Sequence, residues 1–135
     1  MKDYTFQINF LNENNLQIAN YIEEKDKQLF YDRKIKKIEV LQVKVHKSVY
    51  NDIILKFSND IFLGYTGIST GLFTKCGNTE FKKFTFPKGD NYLDIVEGKK
   101  FRDLDIVNLK LLYSDNVEMP RCDKQCQIKI KIYFS

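Results

Sequence analysis

The chain of 135 residues contains no Trp, a single Ala, two Pro, six Gly, three Cys and one His. Each scarcity removes a class of explanation. One His leaves no imidazole pair for a His-rich metal centre, and a catalytic His needs an orienting partner and a nucleophile that the neighbours of His46 do not supply. His46 falls on the polar side of the Val43, Val45 alternation and is expected to face solvent. Three cysteines are an odd number, and Cys122 and Cys126, with no second close pair, do not match the paired-cysteine spacing of zinc ribbons. The one conceivable zinc set, Cys76, Cys122, Cys126 and His46, is scattered along the chain. A disulfide between Cys122 and Cys126 stays open, with free thiols expected in a reducing compartment.

No apolar run approaches the ~18 residues of a membrane-spanning helix. Met1 to Phe10 alternates polar with apolar residues, so no secretory signal is expected there. Glycine-rich phosphate loops and nucleophile-elbow motifs are missing as well. The charge is modest: 22 basic against 18 acidic residues, a formal +4. Lys outnumbers Arg 19 to 3, and Lys, Asn, Ile, Phe and Tyr are all abundant, the residues that AT-rich codons supply. Basic charge of that origin argues weakly for a polyanion partner.

What is present is alternation of period two, which lines one strand face with apolar side chains. Tyr4, Phe6, Ile8 and Phe10 open the series. Asn12 to Asn15 reads as a turn, and Leu16 to Ile22 as a weaker alternation. Glu23 to Lys27 is a charged, solvated stretch, and Tyr21 to Lys36 reads either as strand or as one short helix with Ile22, Leu29, Phe30 and Arg33 roughly on a face. From Ile35 the pattern is dense, with Ile38 and Val40 facing opposite to Leu41, Val43 and Val45, which calls for a bulge near Leu41 or for a strand buried on both faces.

Ile53, Leu55 and Phe57 alternate, Ser58 to Asp60 turns, and Ile61 to Leu63 returns. Gly64, Gly67 and Gly71 then suggest a loop, followed by strands at Leu72 to Cys76 and at Phe81 to Phe86. Pro87 to Asp90 is turn chemistry. Tyr92 to Val96, Leu104 to Tyr113 and Cys126 to Phe134 complete the series. About eight to ten short strands with turn signals between them predict an all-β, antiparallel, jelly-roll-like sandwich with at most one short helix. Residues 1–135 are expected to form one such domain, and a chain of this length buries roughly two thirds of its unfolded surface without needing a metal or disulfide.

Asp90, Asp94, Asp103 and Asp105 gather near Gly89 and Gly98, where converging carboxylates could bind calcium or, through Asp94 and Asp105, hydrolyse a glycoside. Solvated strand and turn positions explain them more simply. Phe81 and Phe84 flank Lys82 and Lys83, a pattern that could stack bases over a basic groove but that fits a core strand equally well.

With no catalytic constellation and no cofactor or metal expected, the chain reads as a non-enzymatic structural or assembly subunit, of the viral capsid or virion-associated kind, in cytoplasm or virion. Its partners would be copies of itself or a larger protein assembly. Ile128, Ile130, Ile132 and Phe134 alternate with lysines and are expected to form an edge strand for that assembly. The alternative is a lectin-like module binding a glycan through Tyr65, Tyr92, Asp94 and Asp105. Single-stranded nucleic acid ranks third.

Overall fold

Where apolar residues alternate, the chain is extended and paired. The computed structural model describes residues 2–49, 53–58, 67–69, 80–113 and 115–135. Its strands are β1 (Asp3–Phe10), β2 (Asn15–Gln17), β3 (Ile35–His46), β4 (Ile53–Ser58), β5 (Gly67–Ser69), β6 (Phe81–Thr85), β7 (Tyr92–Asp94), β8 (Asn108–Tyr113) and β9 (Cys126–Phe134). One α-helix, α1 (Glu24–Phe30), and short 3-10 segments at Ile18–Tyr21, Lys47–Val49 and Phe101–Ile106 join them.

The pairing is nested. β1 pairs with β9, β2 with β8, β3 with β6 and β7, and β4 with β5, all antiparallel. The chain is thus one long antiparallel ribbon folded over its middle. Rolling the ribbon brings β9 against β3 and β8 against β4, which splits it into two sheets ordered β1-β9-β3-β6, with β7 also on β3, and β2-β8-β4-β5. This is a jelly-roll sandwich. The inner faces share one apolar cluster, with Ile8, Ile38, Val43, Ile130 and Ile132 from the larger sheet and Leu16, Leu55, Phe57 and Leu109 from the smaller.

Several expectations hold in detail. Val40 pairs with Ile130 and Gln42 with Lys129, so Leu41 is the extra residue of a bulge, and side chains on both sides of it keep their apolar members inward. Pro87 to Asp90 is a turn with Gly89 at φ +86°, a conformation that glycine adopts without a Cβ penalty.

Others need correction. Cys126 to Phe134 is not an edge: β9 lies between β1 and β3, and Ile128, Ile130, Ile132 and Phe134 are core residues. Long-range pairing of the chain's two ends encloses it. Gly67 to Ser69, read as loop, is strand β5, since three residues suffice to pair with β4. The strand expected from Leu104 begins only at Asn108, because Phe101–Ile106 winds into a 3-10 helix whose Asp103 carboxylate accepts the Lys100 N–H at 2.8 Å. The segments Ile61 to Leu63 and Leu72 to Cys76 lie outside the described residues.

Of the two readings of Tyr21 to Lys36, the helix is the one formed. No side chain caps α1, so packing rather than capping holds it. Phe30 is buried in a ring cluster with Tyr4, Phe101 and Phe134 at centroid distances of 5.1–5.6 Å, and the Tyr4 hydroxyl donates to Asp26 at 2.8 Å. Burial and that carboxylate hold the Tyr4 phenol well above its usual pKa. Leu29, expected on the inner face, is exposed. Among the described residues, no helix is long and apolar enough to cross a membrane.

Candidate functional site

The inward residues of the larger sheet are committed to the core, so its outer face is where its side chains can meet another molecule. Register lays that face out as rows. Asp3, Tyr133, Lys37 and Asp94 form one row, and Thr5, Lys131, Glu39 and Tyr92 the next. Then come Gln7, Lys129, Gln42 and Thr85, and beyond them Asn9, Gln127, Lys44 and Lys83.

In the first two rows charges are matched. Glu39 is only 1% exposed although it belongs to a polar face. Its carboxylate accepts the Tyr133 hydroxyl at 2.5 Å and the Gly89 N–H at 2.7 Å, which ties the Gly89 turn onto β3. Burial alone would raise the pKa of Glu39. The donated hydrogen bonds, with Lys37 and Lys131 nearby, outweigh it and hold the group below the ordinary carboxylate value. Lys37 sits over the Tyr133 and Tyr92 rings, at 4.3 and 5.0 Å, and Lys131 pairs with Asp3 at 3.7 Å. This end of the face is a closed electrostatic network. The other end carries Lys44, Lys83 and Lys129 without a carboxylate, beside a shallow cavity of about 310 Å³ lined by Leu41, Gln42, Phe86, Lys88 and Lys129 among others.

The expected ligand residues that are described do not all stand on one element. Tyr92 and Asp94 stand on β7 at the charge-matched end. Asp105 lies on the 3-10 segment under α1, where its carbonyl accepts the Gln17 side-chain amide at 2.7 Å. There it lines a cavity of about 120 Å³ floored by Ala19, Ile22, Phe101 and Leu104. Neither Tyr92 nor Asp94 lines it. Asp103 is occupied in capping, and among the described residues no group of three or more His, Cys, Asp and Glu converges for a metal. Tyr65 and Cys76 lie outside the described residues.

His46 corrects its expectation. It lies on the outer face as the alternation requires, yet it is buried, because Phe81 across the ladder sets its ring edge-on at 5.1 Å. Its Nδ1 accepts the Ser48 N–H at 3.1 Å and lies 2.8 Å from the Ser48 hydroxyl, which in turn is 3.5 Å from the Cys122 sulfur. Sequence inspection missed this chain of contacts, since Cys122 comes from a distant loop. The imidazole lone pair that would serve as a base is already engaged by a backbone N–H, so the arrangement clamps a turn. Cys122 and Cys126 are free, buried thiols. Burial pushes the Cys126 thiol up to about 11, which keeps it protonated and a poor nucleophile.

Phe81 and Phe84 also separate. Lys44 pairs with Lys83 and Val43 with Phe84, so Phe84 belongs to the inner face and Phe81 to the outer. They cannot form one stacking platform. Comparison with protein-family models, with curated proteins and with solved structures finds no match for this chain. Its surfaces and edges must therefore carry the functional argument.

Proposed function

We propose that this chain is a non-enzymatic assembly subunit that joins a second copy of itself by strand addition at β1. Jelly rolls serve capsids and lectins alike, so the fold does not choose between them. The observation that carries the reading is the contrast among edges. Among the edges whose flanks are described, β2 and β7 are three residues long, and β6 carries Lys82 and Lys83 and is closed by Pro87 two residues on. Short length, lysine and proline are the usual defences of a sheet edge.

β1 has none of them. It runs for eight residues in unbroken register with β9, with no Lys, no Pro and no bulge. Among the described residues, no backbone hydrogen bond reaches it from any strand but β9. Of its outward side chains, Asp3 is paired with Lys131, and Thr5, Gln7 and Asn9 are uncharged and would tolerate a neighbouring strand. A two-fold axis beside β1 would pair it antiparallel with its copy and satisfy both rows of open amides and carbonyls.

The test is the molar mass in solution by light scattering, for the native chain and for Thr5→Glu/Gln7→Glu. Within the chain those carboxylates would face Lys131 and Lys129. Across an antiparallel self-pair they would face each other. We expect a native dimer and a monomeric variant, with dimer recovered when the Glu variant is mixed with Thr5→Lys/Gln7→Lys. A native chain that stays monomeric at all concentrations would overturn the proposal.

A further inference from the structure

The cationic end of the outer face is not needed for pairing at β1, and it has a composition of its own. We infer that it binds an anionic polysaccharide, with the lysines meeting its carboxylate or sulfate groups and the carboxamides meeting its hydroxyls. None of the ion pairs among the described residues includes Lys44, Lys83, Lys88 or Lys129. Glu80 and Asp90, the acids next in sequence to this block, are exposed and pair with none of the four. Register sets Lys129, Lys44 and Lys83 on adjacent strands and adjacent rows, at spacings of about 5 Å across and 7 Å along the sheet. Lys88 and Lys129 line the same shallow cavity as Gln42 and Thr85, and it reaches Lys131 and Tyr133 at the border of the charge-matched rows.

Lysines placed together by the ladders without a paired carboxylate complement a polyanion, and the other groups select its kind. A single-stranded nucleic acid site adds exposed rings on which bases stack. Here the half-buried Phe81 ring meets His46 edge-on and lies 5.0 Å from the Lys44 ammonium, Phe84 and Phe86 pack against the core, and the Tyr133 ring is taken by the Lys37 and Lys131 ammonium groups at 4.3 and 5.0 Å. What the face offers between its lysines is Gln7, Gln42, Gln127 and Thr85, a set of paired donors and acceptors suited to sugar hydroxyls. The occupant is thus a hydroxyl-rich chain bearing anions. This assignment does not rest on strand addition at β1, and a monomer would present the same face.

The experiment is titration of the full chain with fluorescent sulfated dextran oligosaccharide, neutral dextran oligosaccharide and oligothymidylate at physiological salt. Sulfated dextran should bind, weakening steeply as salt rises, and the other two should bind at least about tenfold more weakly. Lys83→Gln/Lys129→Gln should weaken sulfated dextran by about tenfold or more, whereas Lys56→Gln/Lys110→Gln, the same charge change on the opposite sheet, should alter it less than about twofold. Gln42→Ala should weaken sulfated dextran further than salt alone explains. No binding of sulfated dextran, equal or tighter binding of oligothymidylate, or equal loss in both lysine pairs would each overturn the assignment.

Discussion

β1 and β9 lie side by side and look alike as sequence, each a clean alternation of apolar and polar residues, yet one is an edge and the other a centre. Their outward rows differ. β9 presents Gln127, Lys129, Lys131 and Tyr133, whereas β1 presents Asp3, Thr5, Gln7 and Asn9. Lysines in a terminal strand resemble edge protection, but on β9 they face solvent from the middle of a sheet, where no edge needs guarding. The strand that lies at the edge is the one without them. Alternation reports which face of a strand is buried; it carries no information about which flank is paired.

The two strands should differ most in the core. Ile130 on β9 and Ile8 on β1 are both fully buried. Replacing either with Ala removes packed methyl groups and leaves a cavity, at about 2–5 kcal/mol. Ile130→Ala should lie toward the upper end, because β9 is held on both flanks, and Ile8→Ala toward the lower, because an edge strand can shift to fill the space. Urea denaturation of both variants checks the order; a larger loss at Ile8 would mean that β1 is held by something besides β9.

A smaller effect tests the outer face of β9. Tyr133→Phe strips a hydroxyl donor from the buried Glu39 carboxylate, leaving only the Gly89 N–H bonded to it, and should cost about 1–3 kcal/mol. The same contact has a pH signature. Because the folded pKa of Glu39 is lowered, its contribution is complete above the unfolded value of about 4.3 and is lost as pH falls through the folded value. Stability of the native chain should therefore decline in acid more steeply than that of Glu39→Gln, as thermal melts between neutral and acid pH would reveal. Parallel curves would remove Glu39 as the source.

Gly89→Ala sharpens the point from the turn. No atom would crowd the added Cβ, so only the positive φ opposes it, and the expected loss is about 1–2 kcal/mol with the Glu39 contact retained. The smallest effect on folding belongs to β1 itself. Thr5→Glu/Gln7→Glu should change monomer stability by about 0.5 kcal/mol or less, since both sites are exposed, while abolishing self-association. A large stability loss without any change in mass would show the β1 row to be structural alone.

Much of the architecture is readable from local pattern because local pattern reflects burial. The β9 boundaries, the bulge at Leu41 and the Gly89 turn all follow from which neighbours are apolar or from which backbone angles a residue admits. Helix α1 is only half readable. Its sequence is charged and uncapped, and its stability comes from Phe30 meeting Tyr4, Phe101 and Phe134, three rings supplied by other parts of the chain.

The candidate surfaces are less legible still. His46 reads as a solvated residue on a polar position and Glu39 carries no sequence signal of its own, and their burial depends on Tyr133, Gly89 and Phe81 arriving from β9, a turn and β6. Lys129, Lys44 and Lys83 are distant in sequence and join only through the ladders. By itself the sequence determined most of the strands, their buried faces and the all-β class, because side chains alternate across a pleated backbone and water sorts them by polarity. The tertiary structure alone decided which ends of the ribbon meet, hence that β1 is open, β9 enclosed and the free lysines assembled, because strand pairing joins backbone groups that are the same in every residue and leaves no mark on composition.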